Sequence, residues 1–174
     1  DGWRFLTLGK YLERADQTSR MLDTLNLRPK EPSRADLMSV LCCCIALSAF
    51  RQQFRGNLSL ENVANFLFFS EDFPRSIRFC IRSIDHILHA ISGVPAGTFS
   101  NEAERLTGST LAMVNFSDWN QLKSKGFHES LDELQGTLIE IGQSVFETYV
   151  LLPSEIKSVG EHDSAQFIQA QQQQ

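Results

Sequence analysis

Long apolar runs are missing from this chain of 174 residues. None reaches the roughly eighteen uncharged residues that a membrane-crossing helix needs, so no membrane span is expected. The backbone devices of nucleotide binding and serine hydrolysis are missing as well: there is no G-x-x-x-x-G-K-[ST], no G-x-G-x-x-G and no G-x-S-x-G. None of His86, His89, His128 or His162 has an acid three residues before it, so the paired Glu-x-x-His of a di-iron bundle is excluded. His86 and His89 share a helix face, but a lone His-x-x-His reads as a surface pair. No metal ligand, cofactor or catalytic residue is therefore assigned. Cysteine is scarce, at four, and Cys42, Cys43 and Cys44 are consecutive. Neighbouring helical residues face different ways, so the triplet suits neither a disulfide framework nor a zinc set. Small core hydrophobes in a reducing cytoplasm are expected instead. A net charge of -5 argues against general nucleic-acid affinity.

What is present is helical periodicity around an apolar core rich in phenylalanine, with thirteen Phe against two Trp and two Tyr. The opening run reads DGWRFLTLGKYLERADQTSRMLDTLNL. Phe5, Leu8, Leu12, Ala15, Ser19 and Leu22 recur three and four apart, the spacing of one buried helix stripe. Trp3, Tyr11, Thr18, Met21 and Leu25 form a second stripe beside it, which predicts burial over more than half the girth. Arg14 falls on that second stripe. A guanidinium placed there needs an acceptor from elsewhere in the fold. Two readings stay open. Arg14 is either one side of a structural ion pair or hydrogen bond, or a ligand-facing group with Glu13 lining the same cleft.

Along the rest of the chain, Pro29 and Pro32 end the first helix, and Ser33 with Asp36 resembles a capping box. A second helix is expected from Arg34 to Phe54, with its apolar centre in the middle of the bundle. Ser59 caps a third, over Leu60 to Phe69, and Pro74 is expected to open a fourth. Ile77, Ile81, Ile84, Leu88 and Ile91 give that fourth helix the cleanest period in the sequence. Its other face carries Arg75, Arg78, Arg82 and His89. Three arginines near a helix start oppose the helix dipole, so they meet either acids such as Glu71, Asp72 or Asp85, or an anion held by Arg75, Arg78 and Ser76. Further helices are expected over Asn101 to Val114, with Ser100 as cap, from Ser117 through Lys123, and over Phe127 to Leu152. Gly136 and Gly142 in the last suggest close approach of another helix. Residues 153–174 are polar and end QAQQQQ, a composition expected of a disordered tail.

The run LGKYLERADQTSRMLD resembles the signature of the bacterial alpha-E family, an all-helical domain with a Glu-Arg motif in a Leu-Gly-x-x-Leu-Glu-Arg-Ala setting. FLFFSEDFPRSIRFCIRSI is similar to that family's Phe-Pro-Arg-Ser segment. Members are usually about twice this length and carry the Glu-Arg helix twice. With one copy and no initiator Met, the chain looks like the C-terminal half, the partner of a missing N-terminal half. The fold expected is all-α, an antiparallel helical bundle of about six or seven helices over residues 1–152. The resemblance also implies company: members are commonly encoded beside, or fused to, a circularly permuted ATP-grasp protein. The implied function is a non-catalytic accessory or interaction module of a peptide or amide ligase system, with that ATP-grasp ligase as partner. One alternative is half of a small-molecule or peptide-binding enzyme, with Glu13, Arg14 and Arg75 converging on an anion-binding cleft. The other is a purely structural scaffold.

Overall fold

A computed structural model describes residues 2–26 and 31–151. Asp1, the expected tail with Leu152, and residues 27–30, among them the expected helix-ending Pro29, lie outside the described residues. Eight helices and no strand occur among those described: α1 (Gly2–Asp23), α2 (Arg34–Cys43), α3 (Leu47–Phe54), α4 (Leu60–Phe69), α5 (Ile77–Ser92), α6 (Glu102–Phe116), α7 (Trp119–Lys125) and α8 (Phe127–Tyr149).

Helices α1, α5, α6 and α8 form an up-down-up-down bundle in which each packs on two others. Cross-helix pairs fix their directions. Arg4 donates to the Ala90 carbonyl at one end of α1, and Thr18 to the Arg75 carbonyl towards the other, so α1 and α5 are antiparallel. Phe5 meets Tyr149 edge-on and Asp23 meets His128, which makes α1 and α8 antiparallel too. The four shorter helices cover one end of this bundle. There, Leu22, Leu41, Phe50, Phe66, Phe68 and Leu131 share the larger of two core clusters. The smaller cluster, around Leu8, Ile84, Leu88 and Ile141, fills the other end.

The caps follow local chemistry. Ser33 and Asp36 close the expected capping box, and Ser59 accepts from the Asn62 amide. Three starts differ from expectation by a few residues. Ser76, not Pro74, stands at the start of α5, accepting from the Phe79 amide. Asn101 rather than Ser100 caps α6, and Asp118 forms a capping box with Gln121 on α7.

The helix expected from Arg34 to Phe54 is broken, and the chain bends by 119° between its halves. Ala46 donates to the Leu41 carbonyl and Ile45 to that of Cys42, the double closure of a Schellman turn. Ile45 sits at its left-handed position with φ 53°, where glycine is usual. This elbow lies at the edge of the molecule rather than in its middle, with Cys42, Cys43 and Ile45 exposed. Two of the four thiols are thus surface groups, and only Cys44 and Cys80 are core residues. Among the described helices, none is singly long and apolar enough to cross a membrane. Trp3 is also outside the core, at 76% exposure, so the second stripe of α1 is buried only from Tyr11 onward. Gly136 and Gly142 face open space, with no helix close against them.

Candidate functional site

The seam between α1 and α5 gathers much of the chain's positive charge. Tyr11 and Phe79 face each other across it, with ring centroids 6.0 Å apart. Lys10 Nζ stands 4.7 Å from the Tyr11 centroid, and the Arg14 guanidinium carbon 5.7 Å from it. Arg82 lies 5.6 Å from the Phe79 centroid. Cations over ring faces gain a modest attraction and keep their charge accessible to solvent.

Arg14 is half-buried at this seam. The acid or carbonyl expected to answer it is not found: among the described residues it makes no ion pair or hydrogen bond, and its neighbour is the Tyr11 ring. The physical reason is position. Half exposed, the guanidinium keeps part of its hydration and needs no buried counter-charge. Arg75 is likewise half-buried and without a carboxylate among the described residues. Its main chain is tied to α1 by the Thr18 hydroxyl at 2.8 Å, one turn after Arg14. Both arginines act on the Cys80 thiol, whose burial pushes its pKa up to about 12 while the two cations pull weakly the other way. Cys44 behaves alike: burial raises it to about 11, the neighbouring Cys43 adds to the rise, and Arg75 opposes it. Neither buried thiol is a thiolate at neutral pH, so neither is activated as a nucleophile.

The remaining residues singled out in the sequence have separate tasks. Glu13 is exposed and accepts a hydrogen bond from Gln17 at 2.9 Å, apart from the Arg14–Arg75 pair. Ser76 is fully buried; its hydroxyl caps α5 and donates to the Ser70 carbonyl at 2.5 Å, which leaves nothing for an anion. Arg78 bonds Asn115 Oδ1 through Nε at 2.9 Å and pairs with Glu71 through Nη1 at 3.1 Å. Arg82 reaches the same Glu71, by its carboxylate at 3.7 Å and its main-chain carbonyl at 2.5 Å. Of the arginines on this face, Arg78 and Arg82 therefore meet an acid of the fold, while Arg14 and Arg75 stay uncompensated. This is a cation-rich face on a chain of net charge -5.

Beside Tyr11 and Phe79 the seam opens into a groove of about 480 Å³, flanked by Thr7, Ser83, His86 and Ile87. Its floor is mainly apolar, and Arg82 stands on its rim.

A second polar centre was not legible in the sequence. His89 Nδ1 lies 2.8 Å from the Asp85 carbonyl oxygen, and Nε2 lies 3.0 Å from that of Thr98. A neutral imidazole can donate to only one of two acceptors, so this arrangement favours the protonated ring over the neutral one. The Asp85 carbonyl accordingly raises the His89 pKa, with Thr98 and the Asp85 and Glu104 carboxylates adding to the rise against burial. Burial raises Asp85 itself, with His89 pulling it back. Glu104 is only 1% exposed. Burial pushes its pKa up, but hydroxyls and an amide outweigh that: Ser92 stands near, and Ser100 donates from both its amide, at 2.6 Å, and its hydroxyl, at 3.0 Å. Ser92 helps by proximity without closing a hydrogen bond, since Glu104 Oε1 has no partner. His89, through Thr98, and Glu104, through Ser100, pin the 93–101 loop to α5 and α6. Their signal was hidden because the Thr98 and Ser100 partners come from an irregular loop, outside any helical period.

Helical topology and a cationic seam together define an all-α domain with a cation-rich face. Residues 1–150 match the Alpha-E family, described as a predicted alpha-helical domain with a conserved ER motif. The chain belongs to that family. Of its two Glu-Arg steps, at 13–14 and 104–105, the first stands in the Leu-Gly-x-x-Leu-Glu-Arg-Ala setting. No curated protein and no solved structure gives a match.

Proposed function

We propose that this chain is a non-catalytic interaction module of a peptide or amide ligase system in the cytoplasm, and that the α1–α5 seam is the face it offers to its partner. The observation that supports this reading most is the pair Arg14 and Arg75. Both are half-buried, both stand on one seam, and no carboxylate among the described residues neutralises them. Guanidinium groups held this way keep part of their hydration and stay available, so carboxylates on an incoming surface can engage them by charge-assisted bonds. Electrostatic complementarity of that kind speeds encounter and sets orientation. The resemblance to the alpha-E family, whose members are commonly encoded beside an ATP-grasp ligase, supports such a ligase as the partner.

The test is capture of that ligase on the immobilised full-length protein, at low and at raised salt. Binding is expected, weakened by salt and lost in the Arg14→Gln, Arg75→Gln double variant whose circular-dichroism melt matches the parent. Absence of capture at low salt, or capture indifferent to both substitutions, overturns the reading.

A further inference from the structure

The groove beside Tyr11 and Phe79 has a chemistry that the cations alone do not explain. Its floor is aromatic and aliphatic, from Tyr11, Phe79 and Ile87, yet charges stand along its edge. A surface meant only to attract an acidic partner needs no exposed aromatic floor. A pocket meant for a small molecule encloses most of its ligand's surface. This groove, at about 480 Å³, instead stays open along the seam.

We propose that the groove receives an extended acidic segment of a partner protein, one that carries an apolar side chain between carboxylates. This rests on the interaction-module reading and names the chemistry of the partner at that same seam. The apolar side chain lies against Tyr11, Phe79 and Ile87. The flanking carboxylates reach Lys10 and Arg14 on α1, which stand over the Tyr11 ring. Thr7 to Arg14 spans seven residues of helix, roughly 10 Å at 1.5 Å per residue, which matches about three residues of extended chain. Lys10, Arg14 and Arg75 have no carboxylate among the described residues, and Arg82 on the rim shares Glu71 with Arg78. Beside the groove, Lys10 and Arg14 are thus free for the guest. Their ring contacts are weak enough to exchange for carboxylate bonds, which are the stronger interaction. Thr7 and Ser83 stand beside the apolar floor with hydroxyls that can meet peptide main-chain groups.

Fluorescence anisotropy on the full-length protein tests this with three labelled hexapeptides, alternating Glu-Leu, Gln-Leu and Lys-Leu. Saturable binding is expected for Glu-Leu alone, weakening roughly tenfold between about 50 and 500 mM salt as exposed charges are screened. Two folded variants separate the contributions. Arg14→Gln weakens binding through charge, and Ser83→Trp weakens it by filling the groove. Equal binding of all three peptides overturns the proposal, as does binding unchanged by Ser83→Trp. Displacement of the Glu-Leu peptide by ATP or inorganic phosphate at similar concentration also overturns it, because the face would then read any anion. Ligase capture on Ser83→Trp keeps the two readings apart. If the ligase is still captured while no peptide binds the parent, the groove proposal falls and the module stands. If the Glu-Leu peptide binds as expected but no ligase is captured, the groove stands and its assignment to a ligase falls.

Discussion

The Thr18 hydroxyl donates to the main-chain carbonyl of Arg75 at 2.8 Å, joining α1 to the turn that leads into α5. Thr18 is buried, so that carbonyl has no ready substitute in water. The bond also sets the axial register of Arg75 against Arg14, one helical turn apart on the neighbouring element. Thr18→Val keeps the shape and deletes the donor. It is expected to destabilise the fold by about 1 kcal/mol, and more if the orphaned carbonyl stays dry. Urea unfolding reads this directly, and an unchanged midpoint would show that the bond does not hold the seam.

His89 gives the fold a pH dependence whose sign follows from its two carbonyl partners. Its pKa is raised in the folded state. Stability from such a group is fully present below the unfolded value, near 6.5, and is lost as pH rises through the folded value. Stability should therefore fall on going from mildly acidic to mildly alkaline solution. Exposed His128, raised by its hydrogen bond to Asp23, contributes in the same direction. Asp85, also raised, acts in the same sense but in a window beginning near its ordinary value of about 3.9. NMR titration of the His89 ring is expected to give a midpoint above 6.5, and His89→Asn to flatten most of the fall above that pH. A His89 midpoint below the ordinary histidine value contradicts the imidazolium assignment.

Ile45 occupies a left-handed position at 72% exposure, so its side chain offers little burial in exchange for the strain. A left-handed L-residue costs roughly 1–2 kcal/mol, and glycine gives back part of the gain through the entropy of the unfolded chain. Ile45→Gly should stabilise the protein by about 0.5–1 kcal/mol by that difference. Thermal and urea unfolding check it. A clear loss of stability instead would mean that the isoleucine side chain has a contact that outweighs its backbone strain.

The same residue shows where sequence reading succeeds and where it stops. Helices α1, α4, α5 and α8 are legible because apolar residues recur three and four apart, a purely local signal. Ser33 and Ser59 are legible as caps for the same reason. The elbow at Ile45 is not, because a Schellman turn announces itself by glycine and here a β-branched residue fills that place. Arg14 falls on the Tyr11 stripe by spacing alone, but whether anything answers it depends on what packs opposite. That information is tertiary. Ser76 misled differently: a hydroxyl between two arginines reads as an anion ligand, yet burial and the Ser70 carbonyl turn it into a cap. Asp85 and His89 stand one turn apart on α5, but Glu104 and the Thr98 and Ser100 partners lie on or beyond a loop, so no spacing rule adds them.

Glu71, from the turn before α5, touches both Arg78 and Arg82. Its carboxylate sits where an arriving acid would press its own claim, which makes it an internal rival to any visitor. A singly charged guest gains little by evicting it, whereas one bearing several negative groups can settle on the unclaimed cations and leave Glu71 in place. If the proposed acidic segment docks on this seam, Glu71 would therefore tilt the face towards guests of high charge density and away from single anions.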